Sequence, residues 1–295
     1  MHYRADVDGL RAVAVLPVVL FHANFEIFSG GFVGVDVFFV ISGYLITKII
    51  YEEIRQDRFS IVTFYERRVR RIFPALFTVL FISSIAAWIL LIPSDFAGFG
   101  KSVVAATLFV SNMLFWREAG YFDGPAEMKP LLHTWSLSVE EQFYIFFPLF
   151  LLLTYRWLKD RSHIAVITVV VLSFMLSVVG VEIGMDEAAF YLAPTRAWEL
   201  LVGSMLAIGF FSPIRSQFIR ETTALIGFFL IAWSVFVFSE EISFPGVNAL
   251  LPCLGAALLI HAGEGGTSIV GRVLQLKLVV FVGLISYSLY LWHWP

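Results

Sequence analysis

Long runs of hydrophobic residues recur along the whole chain, separated by short polar connections. A helix needs about 20 predominantly apolar residues to cross a bilayer, and nine runs approach that length. They are residues 11–29, 32–50, 72–92, 135–154, 163–181, 193–211, 222–239, 247–262 and 278–295. The pattern predicts an all-α protein, a polytopic bundle of membrane helices.

A weaker run at residues 96–116 is interrupted by Gly98, Gly100, Lys101 and Asn112. If this run stays on one side and the N-terminus is cytoplasmic, 16 of the 20 Lys and Arg residues lie inside, among them Arg156, Lys159 and Arg161. If it crosses, the split falls to about 12 against 8. The positive-inside rule therefore predicts about nine crossings plus one re-entrant or interfacial helix.

Composition supports a membrane protein and excludes several functions. The chain has 295 residues, of which 59% are hydrophobic and 15% charged, with mean hydropathy +0.84, whereas soluble domains carry about 25% charge. The net charge of −3 is too small to indicate a nucleic-acid partner. Cys253 is the only cysteine, so the sequence predicts neither a disulfide framework nor a thiolate metal site.

Residues 1–295 form one predicted membrane domain without a polar block. No P-loop, H-E-x-x-H, G-x-S-x-G or GxGxxG motif occurs, which argues against an ATP-driven pump or a serine hydrolase. The last residue lies in an aromatic-rich predicted helix, so we expect the sequence to be a fragment of a longer protein.

Arg11 and His22 are the first ionisable residues inside a predicted span. Eleven helical steps bring both side chains to nearly the same face, about 16 Å apart along the axis. Charged groups inside a membrane are costly and are functional candidates by default, and imidazole suits proton transfer near neutral pH. The alternative is a snorkelling arginine and a structural histidine that is hydrogen-bonded.

Asp36 follows a glycine-rich turn, Ser29 to Asp36 (SGGFVGVD), and enters the second span. Its carboxylate could orient a histidine as part of a catalytic group. It could equally cap the positive end of the helix.

Four arginines between positions 67 and 71 precede the third span. Arg67, Arg68 and Arg71 are candidates for binding the phosphates of a donor, because guanidinium groups bind phosphate bidentately, and Arg68 and Arg71 share one helical face. The alternative is that the cluster only sets topology and attracts anionic lipid.

The segment His133 to Tyr144 (HTWSLSVEEQFY) opens another span and contains two adjacent carboxylates, Glu140 and Glu141. Adjacent residues of a helix point in different directions, so at least one carboxylate should face a water-filled cavity. His133 with Glu140 or Glu141 could provide acid–base chemistry at the outer mouth. A capping box from Ser138 to Glu141 is the alternative.

Two further sets of polar residues lie near the predicted outer surface. Arg196 and Glu199 are spaced i, i+3 and could form a buried structural ion pair. His293 lies between two tryptophans in the final segment LYLWHWP. An aromatic belt explains the tryptophans but not the histidine.

These motifs together resemble acyltransferase family 3. The resemblance rests on DGLRAVAVL, the Arg11–His22 spacing, GGFVGVDVFFVISGY, the Arg67–Arg68–Arg71 cluster, HTWSLSVEEQFY and LYLWHWP, which run in order from residue 6 to 295. It implies a bacterial inner-membrane O-acyltransferase that modifies lipopolysaccharide, peptidoglycan or exopolysaccharide. It also implies acetyl-CoA as the co-substrate, no permanently bound cofactor, and essential roles for Arg11 and His22. Family members continue with at least one further span, and some add a periplasmic SGNH-type domain.

We therefore expect an enzyme whose phosphate-binding arginines hold cytoplasmic acyl-CoA while a glycan hydroxyl attacks from outside. His22, helped by Asp36 or Glu141, is the expected base, with Arg11 on the same wall. His133, Glu140 and His293 are expected on the acceptor side, with membrane lipid around the bundle. A transporter or flippase for a lipid-linked sugar is the main alternative, and a scaffold protein is a weaker one. Consumption of acyl-CoA separates the enzyme from both.

Overall fold

The computed structural model describes residues 3–119, 128–158 and 162–295. These residues form helices and connecting segments, and no strand occurs among them. The helices are α1 (Ala5–His22), α2 (Gly34–Arg55), α3 (Ile61–Leu90), α4 (Pro93–Thr107), α5 (Ser111–Arg117), α6 (Thr134–Leu158), α7 (Ser162–Glu182), α8 (Asp186–Tyr191), α9 (Ala193–Ala207), α10 (Gln217–Val237), α11 (Leu250–Glu264), α12 (Ile269–Leu274) and α13 (Lys277–Trp292). The predicted all-α helical bundle is confirmed.

Among the described residues, five helices are long and apolar enough to cross a membrane: α2 with its preceding turn, α3, α6, α7 and α10. The apolar helices α11 and α13 are shorter. Many large hydrophobic side chains point outward from the bundle, as lipid-facing surfaces require. The chain is a multi-pass membrane protein, while the number of crossings and the orientation stay predictions. Lys159 and Arg161, which the topology argument counts, lie outside the described residues.

Three predicted boundaries differ from the structure. Helix α3 begins at Ile61 rather than near residue 72, so the arginine cluster lies within it. The first helix begins at Ala5 and ends at His22, so it does not extend to residue 29. Asn24 follows with φ 59°, a left-handed conformation that asparagine tolerates and that ends a helix. The weak run at 96–116 is divided between α4 and α5 by Phe109, which has φ 54°.

Helices α2 and α9 pack closely because glycines form the contact between them. A Cβ atom on Gly43 would lie 1.7 Å from the carbonyl oxygen of Leu200, and one on Gly203 would lie 1.9 Å from that of Val40. Small residues let helix backbones approach in membrane proteins, where packing replaces the hydrophobic effect between helices.

Helices α1 and α13 approach each other in the same way. A Cβ atom on Gly283 would lie 1.7 Å from the carbonyl oxygen of Asp8. Further along both helices His22 meets His293, so α1 and α13 run in the same direction. The first and last helices therefore pack side by side, and the two ends of the described chain lie at opposite ends of this helix pair.

We expect Gly43→Ala to destabilise the protein, because the added methyl group has no space against the backbone of α9. Overpacking typically costs about 1–3 kcal/mol. Gly98→Ala in α4 is the matched control, since nothing lies within 4 Å of its added Cβ and alanine is favoured over glycine in a helix by about 0.5–1 kcal/mol. Thermal unfolding in detergent should rank Gly43→Ala below the wild type and Gly98→Ala at or above it. Equal stability of the two variants would contradict the close packing.

Candidate functional site

Two adjoining pockets lie in the interior of the bundle. Their empty volumes are about 500 and 450 Å³, counting the space that opens to solvent. The residues that line both are Arg11, Ser42, Leu137, Glu140 and Tyr287. Because they share these side chains, the two pockets lie against each other, and together they are here called the central cavity. Helices α1, α2, α6 and α13 each provide at least one of the shared residues.

One end of the central cavity is strongly charged. Arg68 and Arg71 from α3 line it together with Glu140, Glu141 and Tyr144 from α6. The guanidinium carbon of Arg68 lies 5.9 Å from the centroid of the Tyr144 ring, and the Tyr144 hydroxyl donates a hydrogen bond to Glu140. The i, i+3 spacing of the two arginines thus brings both guanidinium groups to one cavity.

The other arginines of the cluster point elsewhere. Arg67 forms an ion pair of 2.9 Å with Glu53, and Arg70 forms one of 2.7 Å with Glu66. Neither lines the central cavity. The structure therefore separates Arg67 from Arg68 and Arg71, which the sequence analysis grouped together as donor-binding residues.

At the opposite end, the lining includes Ser136 and Tyr290. Their hydroxyl oxygens are 2.6 Å apart, and each also lies 3.1 Å from the backbone carbonyl oxygen of His133, so two hydroxyl protons serve three contacts. His133 is 4% exposed. Its ring centroid lies 5.8 Å from that of Tyr290. The hydroxyls of the cavity wall therefore connect the cavity to His133.

His22 and His293 form a close pair beside this end. Nδ1 of His22 lies 3.1 Å from Nε2 of His293, and Nδ1 of His293 lies 2.5 Å from the carbonyl oxygen of Tyr290. The ring centroids of His293 and His133 are 5.6 Å apart. The structure thus brings the three predicted site histidines, His22, His133 and His293, together. Tyr290 lies between them and the cavity.

The predicted carboxylate partners of His22 lie elsewhere. Glu141 lines the arginine end of the cavity, and Glu140 lines both parts of it. The hydrogen bonds described for His22 include neither Glu141 nor Asp36, and its side-chain partner is His293. Sequence reasoning did not single out Ser42, Ser136, Tyr287 or Tyr290 as lining residues, because single hydroxyl groups in apolar helices leave no recognisable spacing.

Asp36 belongs to a buried ion cluster instead. Its carboxylate lies 3.0 Å from the guanidinium of Arg196, which is also 3.0 Å from Glu199. All three residues are 0% exposed. The Arg196–Glu199 pair confirms the ion pair that the i, i+3 spacing suggested, whereas the partnership with Asp36, distant in sequence, had no sequence signal.

Aromatic rings enclose the guanidinium of Arg196 on several sides. Its central carbon lies 5.5–5.6 Å from the ring centroids of Phe39, Trp135, Phe190 and Phe244. Ligand atoms of Asp36, Glu199 and Cys253 lie within 4.8 Å of one another, which is close enough for a metal ion. The two carboxylates are already paired with Arg196, however, so the chemistry of this cluster suits a structural ion network.

Comparison with known proteins places these residues in a family context. The model of a family described as an acyltransferase domain matches residues 4–295. A Bacillus subtilis protein named "Putative peptidoglycan O-acetyltransferase YrhL" is 34% identical over 99% of this chain and 48% of its own length. A Staphylococcus aureus protein named "Putative O-acetyltransferase" is 32% identical over 99% of this chain and 50% of its own length.

An uncharacterized Haemophilus influenzae protein is 38% identical over 77% of this chain and 96% of its own length. The chain therefore spans about half the length of the Bacillus and Staphylococcus relatives. No solved structure matches it.

We expect Arg196→Ala to destabilise the protein strongly, because it leaves the buried carboxylates of Asp36 and Glu199 without their cation. Breaking a buried ion pair from one side typically costs about 3–5 kcal/mol. Arg67→Ala removes a pair of similar length, 2.9 Å, whose arginine side chain is 51% exposed, and exposed pairs contribute only about 0–1 kcal/mol. Thermal unfolding and yield of folded protein should separate the two variants. Equal stability would show that the Arg196 cluster is not a structural ion network.

Proposed function

Because the chain belongs to the acyltransferase 3 family, we propose that it is a membrane O-acetyltransferase that uses acetyl-CoA as donor. The acceptor is a hydroxyl group of a glycan outside the cytoplasm, such as peptidoglycan, lipopolysaccharide O-antigen or exopolysaccharide. The protein lies in the bacterial inner membrane with its N-terminus in the cytoplasm. The observation that supports this proposal most is the central cavity, whose one end is lined by Arg68 and Arg71 and whose other end is lined by Tyr290, beside the three histidines.

The physical problem of such an enzyme is that acetyl-CoA and the glycan lie on opposite sides of the membrane. In our proposal the phosphates of CoA bind Arg68 and Arg71, since guanidinium groups form strong, charge-assisted hydrogen bonds with phosphate. The thioester arm then extends past Arg11 toward the histidines. Arg11 and His22 are separated by about 16 Å along α1, so the arm has to cover about that distance beyond Arg11. Arg67 has no place in this donor site because it pairs with Glu53.

The proposed reaction needs one proton acceptor. The glycan hydroxyl oxygen attacks the thioester carbonyl carbon, and its proton passes to Nε2 of His22. A C–O bond forms, the C–S bond breaks, and the proton leaves with the sulfur of CoA as a thiol. His133 lies on the acceptor side of this step, and Asp36 is assigned to the stability of the bundle rather than to the reaction.

Removing a cavity arginine should weaken donor binding. One charge-assisted contact is worth about 1.5–3 kcal/mol, which corresponds to a roughly 10- to 150-fold higher Kd for CoA in Arg68→Ala or Arg71→Ala. Arg70→Ala is the matched control, because it removes the same charge from the same helix but at an exposed pair with Glu66. Titration of CoA against the purified variants measures the effect. Equal CoA affinity in all three variants would contradict the proposal and assign the arginines to topology and to attraction of anionic lipid.

Replacing His22 should abolish acetyl transfer without abolishing donor binding. Loss of a general base typically costs 10²–10⁴ in rate, and the glutamine of His22→Gln keeps a polar group but cannot take the proton. His163→Gln, at the start of α7 and away from the cavity, is the control. The measurement is acetyl-CoA consumption and acetylated product, with membranes that hold equal amounts of folded protein.

Near-normal transfer by His22→Gln would remove His22 from the base role and direct attention to His133. A wild-type protein that moves glycan but never consumes acetyl-CoA would favour the transporter or flippase alternative.

A further inference from the structure

A short chain of hydrogen-bonding groups runs from the backbone of α13 to His22. The carbonyl oxygen of Tyr290 faces Nδ1 of His293 at 2.5 Å, and Nε2 of His293 faces Nδ1 of His22 at 3.1 Å. Each contact joins a different pair of atoms, so both ring nitrogens of His293 are engaged. The remaining nitrogen of His22 is Nε2.

The carbonyl group determines where the protons lie in this chain. A carbonyl oxygen only accepts hydrogen bonds, so Nδ1 of His293 must donate to Tyr290. In neutral His293 the other nitrogen, Nε2, is then an acceptor, because a neutral imidazole has one donor and one acceptor. Nδ1 of His22 must therefore donate to it, which leaves the lone pair of neutral His22 on Nε2. The His22 ring also has a hydrogen bond with the backbone of Val18, one turn earlier in α1.

Aromatic side chains hold both rings in this orientation. The indole of Trp294 meets the His22 ring edge to face at a centroid distance of 4.6 Å, and its Nε1 donates to the carbonyl oxygen of Lys129 at 2.8 Å. Phe21 packs against His22 from another side, at 4.9 Å. The segment after α13 is thereby fixed to the turn before α6.

We propose that His293 is a positioning residue, which fixes the tautomer and the ring orientation of the base His22 through their shared hydrogen bond. This inference rests on the proposed function, because it assigns His22 the role of base. When the acceptor hydroxyl gives its proton to Nε2 of His22, the imidazolium formed still donates from Nδ1 to neutral His293. When that proton passes to the CoA sulfur, His22 returns to the same tautomer, and His293 gains and loses no proton.

A free imidazole in water populates both tautomers, and the one with the proton on Nε2 cannot act as base at that atom. Loss of the orienting partner should therefore lower turnover while donor binding is preserved. In the serine protease triad, fixing the wrong histidine tautomer costs about 10⁴ in kcat. We expect a smaller loss here, about 10- to 1000-fold, because without His293 the correct tautomer is still populated in part.

The test compares His293→Leu, which removes the acceptor, with His293→Gln, whose side-chain oxygen can still accept from Nδ1 of His22. His293→Leu should lose about 10- to 1000-fold in kcat, while KM for acetyl-CoA stays within about threefold of the wild type. The kcat of His293→Gln should be at least tenfold higher than that of His293→Leu. Equal activity of His293→Leu and the wild type would overturn the proposal, as would equal damage in both variants despite a normal fold.

Nitrogen-15 NMR of histidine-labelled protein in lipid tests the same proposal without any acyl transfer. Subtracting the spectrum of His22→Gln identifies the His22 signals. The wild type should show His22 protonated at Nδ1 alone, and His293→Leu should show a mixture of tautomers. His22 protonated at Nε2 in the wild type would refute the inference. If the tautomer is as expected but the wild type transfers no acetyl group, the proposed function fails and the histidine pairing stands.

Discussion

The interior of a membrane protein offers no water to an ion, so every charged side chain among the helices must be paired or must face a hydrated space. This chain uses both solutions side by side. Asp36, Arg196 and Glu199 form a closed cluster with no exposed surface, and this cluster joins α2 to α9. Arg11 combines the two: it pairs with Asp8 at 3.6 Å and also lines the central cavity together with Glu140 and Tyr287. The closed cluster stabilises the helices that form the wall, and the open cavity leaves its charges available for a ligand.

Glycine contacts make this arrangement possible. The α2–α9 approach at Gly43 and Gly203 places the Arg196 cluster, and the α1–α13 approach at Gly283 brings His22 to His293. These two histidines are 271 residues apart in sequence. A site formed by the first and last helices of the described chain depends on backbone packing that no single motif encodes.

Much of the fold followed from the sequence, because lipid imposes a simple length and composition on membrane helices. The helical spacing of Arg68 and Arg71 correctly predicted that both would face one side, and the spacing of Arg196 and Glu199 predicted their ion pair. The partner of Asp36 could not be predicted, since contacts between helices that are distant in sequence leave no trace in the periodicity of either one. For the same reason Tyr290, whose carbonyl oxygen faces His293, was not recognised. The end of α1 was misplaced because hydropathy does not register the left-handed residue Asn24.

The central claim is that a donor held at the arginines reaches His22 through the central cavity. The most direct measurement is a cryo-electron microscopy structure of the protein with a non-hydrolysable acetyl-CoA analogue. The account predicts phosphate density beside Arg68 and Arg71, and an acyl end that passes Arg11 and points to Nε2 of His22. Density for the analogue outside the central cavity, or an acyl end that points away from the histidines, would contradict it.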